Sequence, residues 1–408
     1  MDTYKLGRKS FLRKIAAAGA MGFVPSLLKA EPNHEVIKSE EEGVIHFLCP
    51  PYLQYSTDNS VVIKWITNQP ASSWVEYGES KPDQKVLPAA DLGLIAANDR
   101  VHEVTITGLK PGKRYAYKVS SRQIVDFKPY QMTWGETISS EIFYFTTVNP
   151  KVREVSWLVF NDIHDRPASF DPLFELNGKD PFDFVFLNGD MFDYQTDEQQ
   201  IIDHLVSPIT SLFASEKPFM YARGNHETRG KYARQFPSYF SNPGNQYYFS
   251  FTHGPVHVIV LDTGEDKEDD HKEYSQLVAF DQYREKQAFW LENELKTQEF
   301  LNAPFRVVMM HIPVFHSGEG HGTLHCRQLF NPLFNKAGID LMICGHTHRY
   351  GVHQADPATH NYPLVIGGGP QAGTRTLIKV KAERKNLVLQ MISDNGNEVG
   401  RVRIDSKR

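Results

Sequence analysis

Residues 341–348 read Leu-Met-Ile-Cys-Gly-His-Thr-His, an apolar run that stops at a glycine and two histidines one residue apart. Four consecutive apolar residues have the texture of a short strand buried on both faces. Either the two imidazoles pack in the interior, or they converge on something that is not protein. Four other stretches repeat the pattern and decide between these. Val155–Phe160 leads into Asn161-Asp162-Ile163-His164, and Phe184–Leu187 into Gly189-Asp190-Met191-Phe192-Asp193. Pro218–Ala222 leads into Gly224-Asn225-His226-Glu227, and Val307–Met310 into His311. Between these runs, Glu198–Phe213 and Phe280–Leu295 carry helical spacing. Buried strands alternating with helices predict a layered α/β domain, and ligands in such folds bind beyond the carboxyl ends of the strands.

Taken singly, each ending has a bland reading. Asp-x-His occurs by chance, Gly-Asp is a frequent turn, Gly-Asn-His-Glu could be a turn around Asn225, and His311 could be a core histidine. Chance does not place all five at strand ends in one domain. Carboxylate, amide and imidazole together suit a first-row metal. The 17 histidines and only 3 cysteines, Cys49, Cys326 and Cys344, agree: with no CxxC spacing, any metal here takes nitrogen and oxygen ligands. His346 and His348, two apart, would share a face of an extended segment and point the same way past Thr347.

The rest of the chain reads as follows. A net charge of −5 without a long basic run beyond the N-terminus carries no nucleic-acid signature. Residues 1–30 open with Lys5, Arg8, Lys9, Arg13 and Lys14 before the short apolar segment Ile15–Leu28, the shape of an export signal. Arg8-Lys9-Ser10-Phe11-Leu12 resembles a twin-arginine signal with lysine as its second basic residue. The protein is therefore expected outside the cytoplasm, periplasmic or extracellular, with no stable membrane anchor once the signal is removed. Residues 31–43 are a polar linker. Residues 44–148 show short alternating strands broken by turns, among them Ser60–Ile66, Ser73–Tyr77, Val101–Ile106 and Arg114–Val119, which predicts a β-sandwich. An early-strand Trp65 and the stretch Leu109-Lys110-Pro111-Gly112-Lys113-Arg114-Tyr115 resemble a fibronectin type III domain. Residues 149–408 form the α/β domain, with Asp262–Tyr274 expected as an acidic solvated loop and Tyr362–Ile404 as strands that close the domain.

The series DxH, GDxxD, GNHE, H and GHxH resembles the calcineurin-like metallophosphoesterases. Preceded by a fibronectin-like domain, it is similar to the purple acid phosphatases and their bacterial relatives. The resemblance implies an α/β/β/α sandwich holding two metal ions (Fe, Mn or Zn). One would take Asp162, His164, Asp190 and His348, the other Asp190, Asn225, His311 and His346, with Asp190 bridging. It implies an enzyme that hydrolyses small phosphate monoesters by metal-hydroxide attack, with His226 as general acid and Asp193 orienting it. His321 and His316, with His325 as an alternative, would hold the substrate phosphate. A phosphodiesterase or nucleotide hydrolase on the same site is the alternative, and an adhesion protein with a vestigial site the third. Two departures from the purple acid phosphatase pattern stand out: Asp193 occupies the place of its colour-giving tyrosine, and His164 that of a small residue. A colourless or weakly coloured protein is expected. Substrate choice would rest with loops around Arg122–Thr137 and Glu265–Gln276.

Overall fold

The structure, a computed structural model, describes residues 43–408. The export segment, residues 1–30, and the linker up to residue 42 lie outside the described residues.

The N-terminal β-rich domain comprises β1 (Tyr52–Ser56), β2 (Ser60–Gly78), β3 (Gln84–Val86), β4 (Ala90–Asp91), β5 (Leu94–Ile95), β6 (Asp99–Thr107), β7 (Arg114–Lys128), β8 (Gln131–Ser139) and β9 (Phe143–Thr146). Ser60–Ile66 and Ser73–Tyr77, expected as separate strands, are the two halves of the 19-residue β2. The first half pairs with β1 and β6, the second with β3 and β7, and the register shifts between Ile66 and Ala71. Pro70 sits at that break, having no N–H to give a ladder. Arg122–Thr137 is not a loop but the outer part of the β7–β8 hairpin. Leu53, Ile63, Trp65, Val104, Tyr117 and Phe145 fill the domain's core.

His102 lies in that core against Trp65 and bonds through Nε2 to Thr67 Oγ1 at 2.8 Å. Burial pushes its pKa down from 6.5 to about 3. Between those values the unfolded chain binds a proton that the folded chain does not. Stability is therefore lost on acidification below the unfolded value, by at most about 1.4 kcal/mol per pH unit. In melts from about pH 7 to about pH 4, the wild type should lose stability more steeply than His102→Gln. Parallel curves would contradict this.

The second domain contains β10 (Glu154–Phe160), β11 (Phe184–Asn188), β12 (Phe219–Ala222), β13 (Phe249–His253), β14 (Val256–Leu261), β15 (Phe305–Met310), β16 (Leu341–Cys344), β17 (Gly351–His353), β18 (Leu364–Ile366), β19 (Thr376–Glu383), β20 (Asn386–Ser393) and β21 (Glu398–Asp405). They make two six-stranded sheets, in the orders β12-β11-β10-β19-β20-β21 and β13-β14-β15-β16-β18-β17. In the first, β10, β11 and β12 are parallel and β19 to β21 antiparallel. In the second, β14, β15, β16 and β18 are parallel.

Period-2 alternation explains the uninterrupted apolar runs. Val155, Trp157 and Val159 of β10 meet Val307 and Met309 of β15 and Leu341 and Ile343 of β16 in the layer between the sheets. Leu158 and Phe160 face the other way, into a cluster with Phe170 and Leu173 of α1 (Phe170–Glu175) and with Leu205, Ile209 and Phe213. Val308, Met310, Met342 and Cys344 likewise face the helices that cover the second sheet. A strand buried on both faces has no polar side to show.

The helix expected over Glu198–Phe213 is α2 (Glu198–Ile201) and α3 (Ser207–Ile209), joined and followed by π-turns at Ile202–Val206 and Thr210–Ala214. On the second sheet lie α4 (Phe280–Glu294), α5 (Gln298–Asn302) and α6 (His321–Ala337). The solvated loop expected over Asp262–Tyr274 is corrected at its start: Asp262, Thr263 and Glu265 are buried. Arg223 pairs with Asp262 at 2.7 Å, Arg229 with Glu265 at 2.8 Å, and Tyr274 OH donates to Glu265 at 3.0 Å. Distant arginines draw the acids inside, which a local reading cannot see. The two domains share a core, since Cys49, Tyr52 and Ile66 join the cluster outside the first sheet. Tyr117 OH also donates to Ser215 O across the junction at 2.6 Å.

Candidate metal centre

Asp162 and His164 follow β10, Asp190 and Asp193 follow β11, and Asn225 and His226 follow β12; all leave the first sheet. His311 follows β15, and His346 and His348 follow β16, from the second. The carboxyl ends of five parallel strands thus supply the site. Asp162, His164, Asp190, His346 and His348 all have positive φ, between +50° and +74°. Left-handed backbone costs a non-glycine residue roughly 1–2 kcal/mol. Here it turns the chain sharply enough to curl side chains back over the strand ends. The strand rule for His346 and His348 is therefore corrected: both lie past β16 in left-handed bends, not on a shared extended face.

Beside a group of His164, Asp193 and His226, two groups of potential ligand atoms result, each with all its atoms within 4.8 Å of one another: Asp162, His164, Asp190 and His348, and Asp190, His311 and His346. Asp190 belongs to both. Asn225 Oδ1 lies 3.0 Å from His346 Nδ1, beside the second group. Gly345 and Gly224 fit only because they lack side chains; a Cβ would collide with the carboxylates of Asp162 and Asp190 respectively.

The donors suit a metal pair. His311 Nδ1–H donates to Asn188 O at 2.8 Å, while the buried Nε2 makes no hydrogen bond and stands 2.9 Å from Asp190 Oδ2. His164 Nε2 and His348 Nε2 face each other at 3.0 Å, an approach suited to a shared cation. Burial alone would lower the imidazole pKa values. The carboxylates of Asp162 and Asp190 outweigh it, raising His164 to about 9 and His311 to about 10. Burial would also raise both carboxylates, but their histidine neighbours hold Asp162 and Asp190 well below the usual range. His346, lowered by burial and then by His311, sits at about 4. The site is a buried negative well that attracts cations.

The role read for the Asp193 side chain needs correction. Its Oδ1 accepts from His164 Nδ1 at 2.8 Å, whereas His226 Nδ1 donates to the Asp193 backbone carbonyl at 2.7 Å. The side chain thus orients a candidate ligand and the main chain orients His226. Asp193→Ala is expected to weaken metal retention about 10–100-fold, measured by chelator competition; unchanged retention would refute the orienting role.

His321 and His316 belong to neither group. His321 Nε2 meets Asp281 Oδ1 at 2.8 Å, and His316 stacks on His353 with ring centroids 3.7 Å apart. Three positioning residues escaped the sequence reading. Buried Glu227 accepts the backbone N–H groups of Asp190, Met191 and Gly224 at 2.9, 2.7 and 2.8 Å, tying two strand-end turns together. Its place directly after Asn225 and His226 was the available signal. Asn161 Nδ2 donates to Asp162 Oδ2 at 2.7 Å. Arg229 Nη1 reaches His226 Nε2 at 3.1 Å while the same guanidinium holds Glu265. Nothing local marks Arg229.

Comparison with known proteins agrees with this geometry. Residues 156–350 match the calcineurin-like phosphoesterase family, and residues 49–147 the purple acid phosphatase N-terminal domain. The chain is 27% identical over 317 residues to acid phosphatase type 7 of Mus musculus, covering 71% of this chain and 67% of that protein. It is 26% identical over 317 residues to probable purple acid phosphatase 20 of Arabidopsis thaliana, covering 71% and 65%. The chain thus spans about two thirds of these relatives' length. Among solved structures, a purple acid phosphatase from yellow lupin (Lupinus luteus) seeds superposes with a TM-score of 0.66 at 16% identity, covering 87% of this chain and 74% of that one. A PhoD structure does so with a TM-score of 0.60 at 13% identity, covering 90% of each. These two show a shared fold. Residues 156–350 are thus a calcineurin-like phosphoesterase domain, preceded at residues 49–147 by a purple acid phosphatase N-terminal domain.

Proposed function

We propose that this protein hydrolyses phosphate monoesters, at a centre where Asp162, His164, Asp190 and His348 hold one metal and Asp190, Asn225, His311 and His346 a second. The observation that carries the reading is Asp190, a buried carboxylate common to both ligand groups. A metal pair in such a site lowers the pKa of water and neutralises phosphoryl charge. The chain's own part is to orient and to move a proton. His226, held through Nδ1, has Nε2 to serve as general acid to the leaving oxygen. For that step Nε2 carries the proton, so its contact with Arg229 gives way to one with the substrate. Arg229 stays beside it on Glu265, where its charge favours an anionic ester.

Asp193, not a tyrosine, stands three residues after Asp190, and Tyr194 is exposed and outside both groups. The metal-loaded protein is therefore expected to be colourless or weakly coloured; a strong visible charge-transfer band would contradict this ligand set. The proposal includes export, resting on the basic and apolar pattern of residues 1–30. Among the described residues no helix is long and apolar enough to cross a membrane. The direct test compares turnover of p-nitrophenyl phosphate with that of its bis-ester by the metal-replete protein. Faster monoester hydrolysis supports the proposal. Faster diester hydrolysis converts it to a phosphodiesterase, and a metal-replete protein inert to both overturns it.

A further inference from the structure

A second set of metal-ligating side chains lies outside the Asp190 groups. His321 and His325 stand four residues apart in the first turns of α6, and Asp281 enters from the first turn of α4. Their ligand atoms all lie within 4.8 Å of one another, and none belongs to the two groups described above. Histidines at i and i+4 share one helix face, a spacing that suits zinc when a third ligand comes from another element.

Hydrogen bonding alone does not satisfy this cluster. Three groups crowd Asp281 Oδ1: His321 Nε2 at 2.8 Å, Arg284 Nη1 at 2.8 Å and His325 Nδ1 at 3.0 Å. The last is too poorly aligned to bond, and His325 Nδ1 is buried without a hydrogen-bond partner. Arg284, itself fully buried, is fixed by Thr263 O at 2.8 Å and by Glu265 O. It therefore anchors the carboxylate through Oδ1. Oδ2 remains, 3.0 Å from His321 Nε2. Ligands on one tetrahedral zinc sit roughly 3–3.5 Å apart, close to the spacing found here.

We propose that Asp281, His321 and His325 form an accessory site for a divalent transition metal, zinc in the first instance. Two neutral imidazoles and one carboxylate favour zinc over magnesium or calcium, which prefer oxygen ligands. His321 and Asp281 are partly exposed, so water completes the coordination. The nearby Arg284 charge makes the site weaker than the buried cluster around Asp190. Zinc would pin the start of α6 to α4, and Gly322 N–H next to it donates to Asp266 O at 3.0 Å, joining this corner to the segment that holds Arg229.

The test uses the full chain with its own metals in place. Crystals equilibrated with micromolar zinc are measured at the zinc absorption edge, and bound zinc is counted in solution for the wild type and for a His321→Gln/His325→Gln double variant. The expected result is an anomalous peak bonded to His321, His325 and Asp281, and about one zinc fewer per chain in the variant. A peak at the Asp190 cluster alone, or equal zinc counts in the folded wild type and variant, overturns the accessory site. Either leaves the catalytic proposal standing.

Discussion

Asp190→Asn is expected to lose at least about a thousandfold in kcat/KM on p-nitrophenyl phosphate, roughly 4 kcal/mol of transition-state stabilisation. Metal content should fall with it. Asp190 lies in both ligand groups, 2.9 Å from His311 Nε2 and 3.5 Å from His164 Nε2. Its Oδ1 also accepts the His226 backbone N–H at 3.1 Å. Asparagine keeps the shape but gives up the charge and one acceptor oxygen, so two cations lose their common anion. The backbone turn should survive, because Glu227 rather than the Asp190 side chain holds it. A variant that keeps its metals and turns over at near wild-type rate would remove the bridging role.

His226→Ala should separate proton donation from metal binding. Turnover of an alkyl phosphate is expected to fall about 10²–10⁴-fold, while both metals remain. With p-nitrophenyl phosphate the loss should be much smaller, since p-nitrophenolate leaves without help. That difference between substrates is the signature of an acid. Equal losses on both would instead assign His226 to holding the phosphate, and no loss on either would remove it from the reaction. The imidazole is well placed for this role: Nδ1 is spent on the Asp193 carbonyl, leaving only Nε2 to act.

Most of the second domain was legible because its strands are buried on both faces. Leu341–Cys344 begins and ends where its apolar run does, and C-terminal strands β19, β20 and β21 close the first sheet. The β-rich domain was less legible. A bent strand with a proline at its register shift looks like two strands from sequence, and a hairpin such as β7–β8 with polar outer residues looks like a loop. The acidic run after Asp262 misled for a different reason. Charge predicts exposure unless a partner comes from elsewhere, and Arg223 and Arg229 did.

By itself the sequence determined the chemistry available at the strand ends: Asp162, His164, Asp190, Asn225, His311, His346 and His348 each follow an apolar run whose burial is set by its own residues. Side-chain type and strand end are local properties, so they can be read locally. Which group each residue joins was decided only by tertiary structure. Left-handed turns at His346 and His348 send two neighbouring histidines to different groups, and packing of two sheets brings β10 within reach of β16. Pairing of β10 with β11 within the first sheet put the Asp193 carboxylate on His164, and the packing of α6 beside α4 put Asp281 on His321, pairings 29 and 40 residues apart in the chain. Contacts between distant segments arise from how whole layers stack, and no stretch of chain carries that information alone.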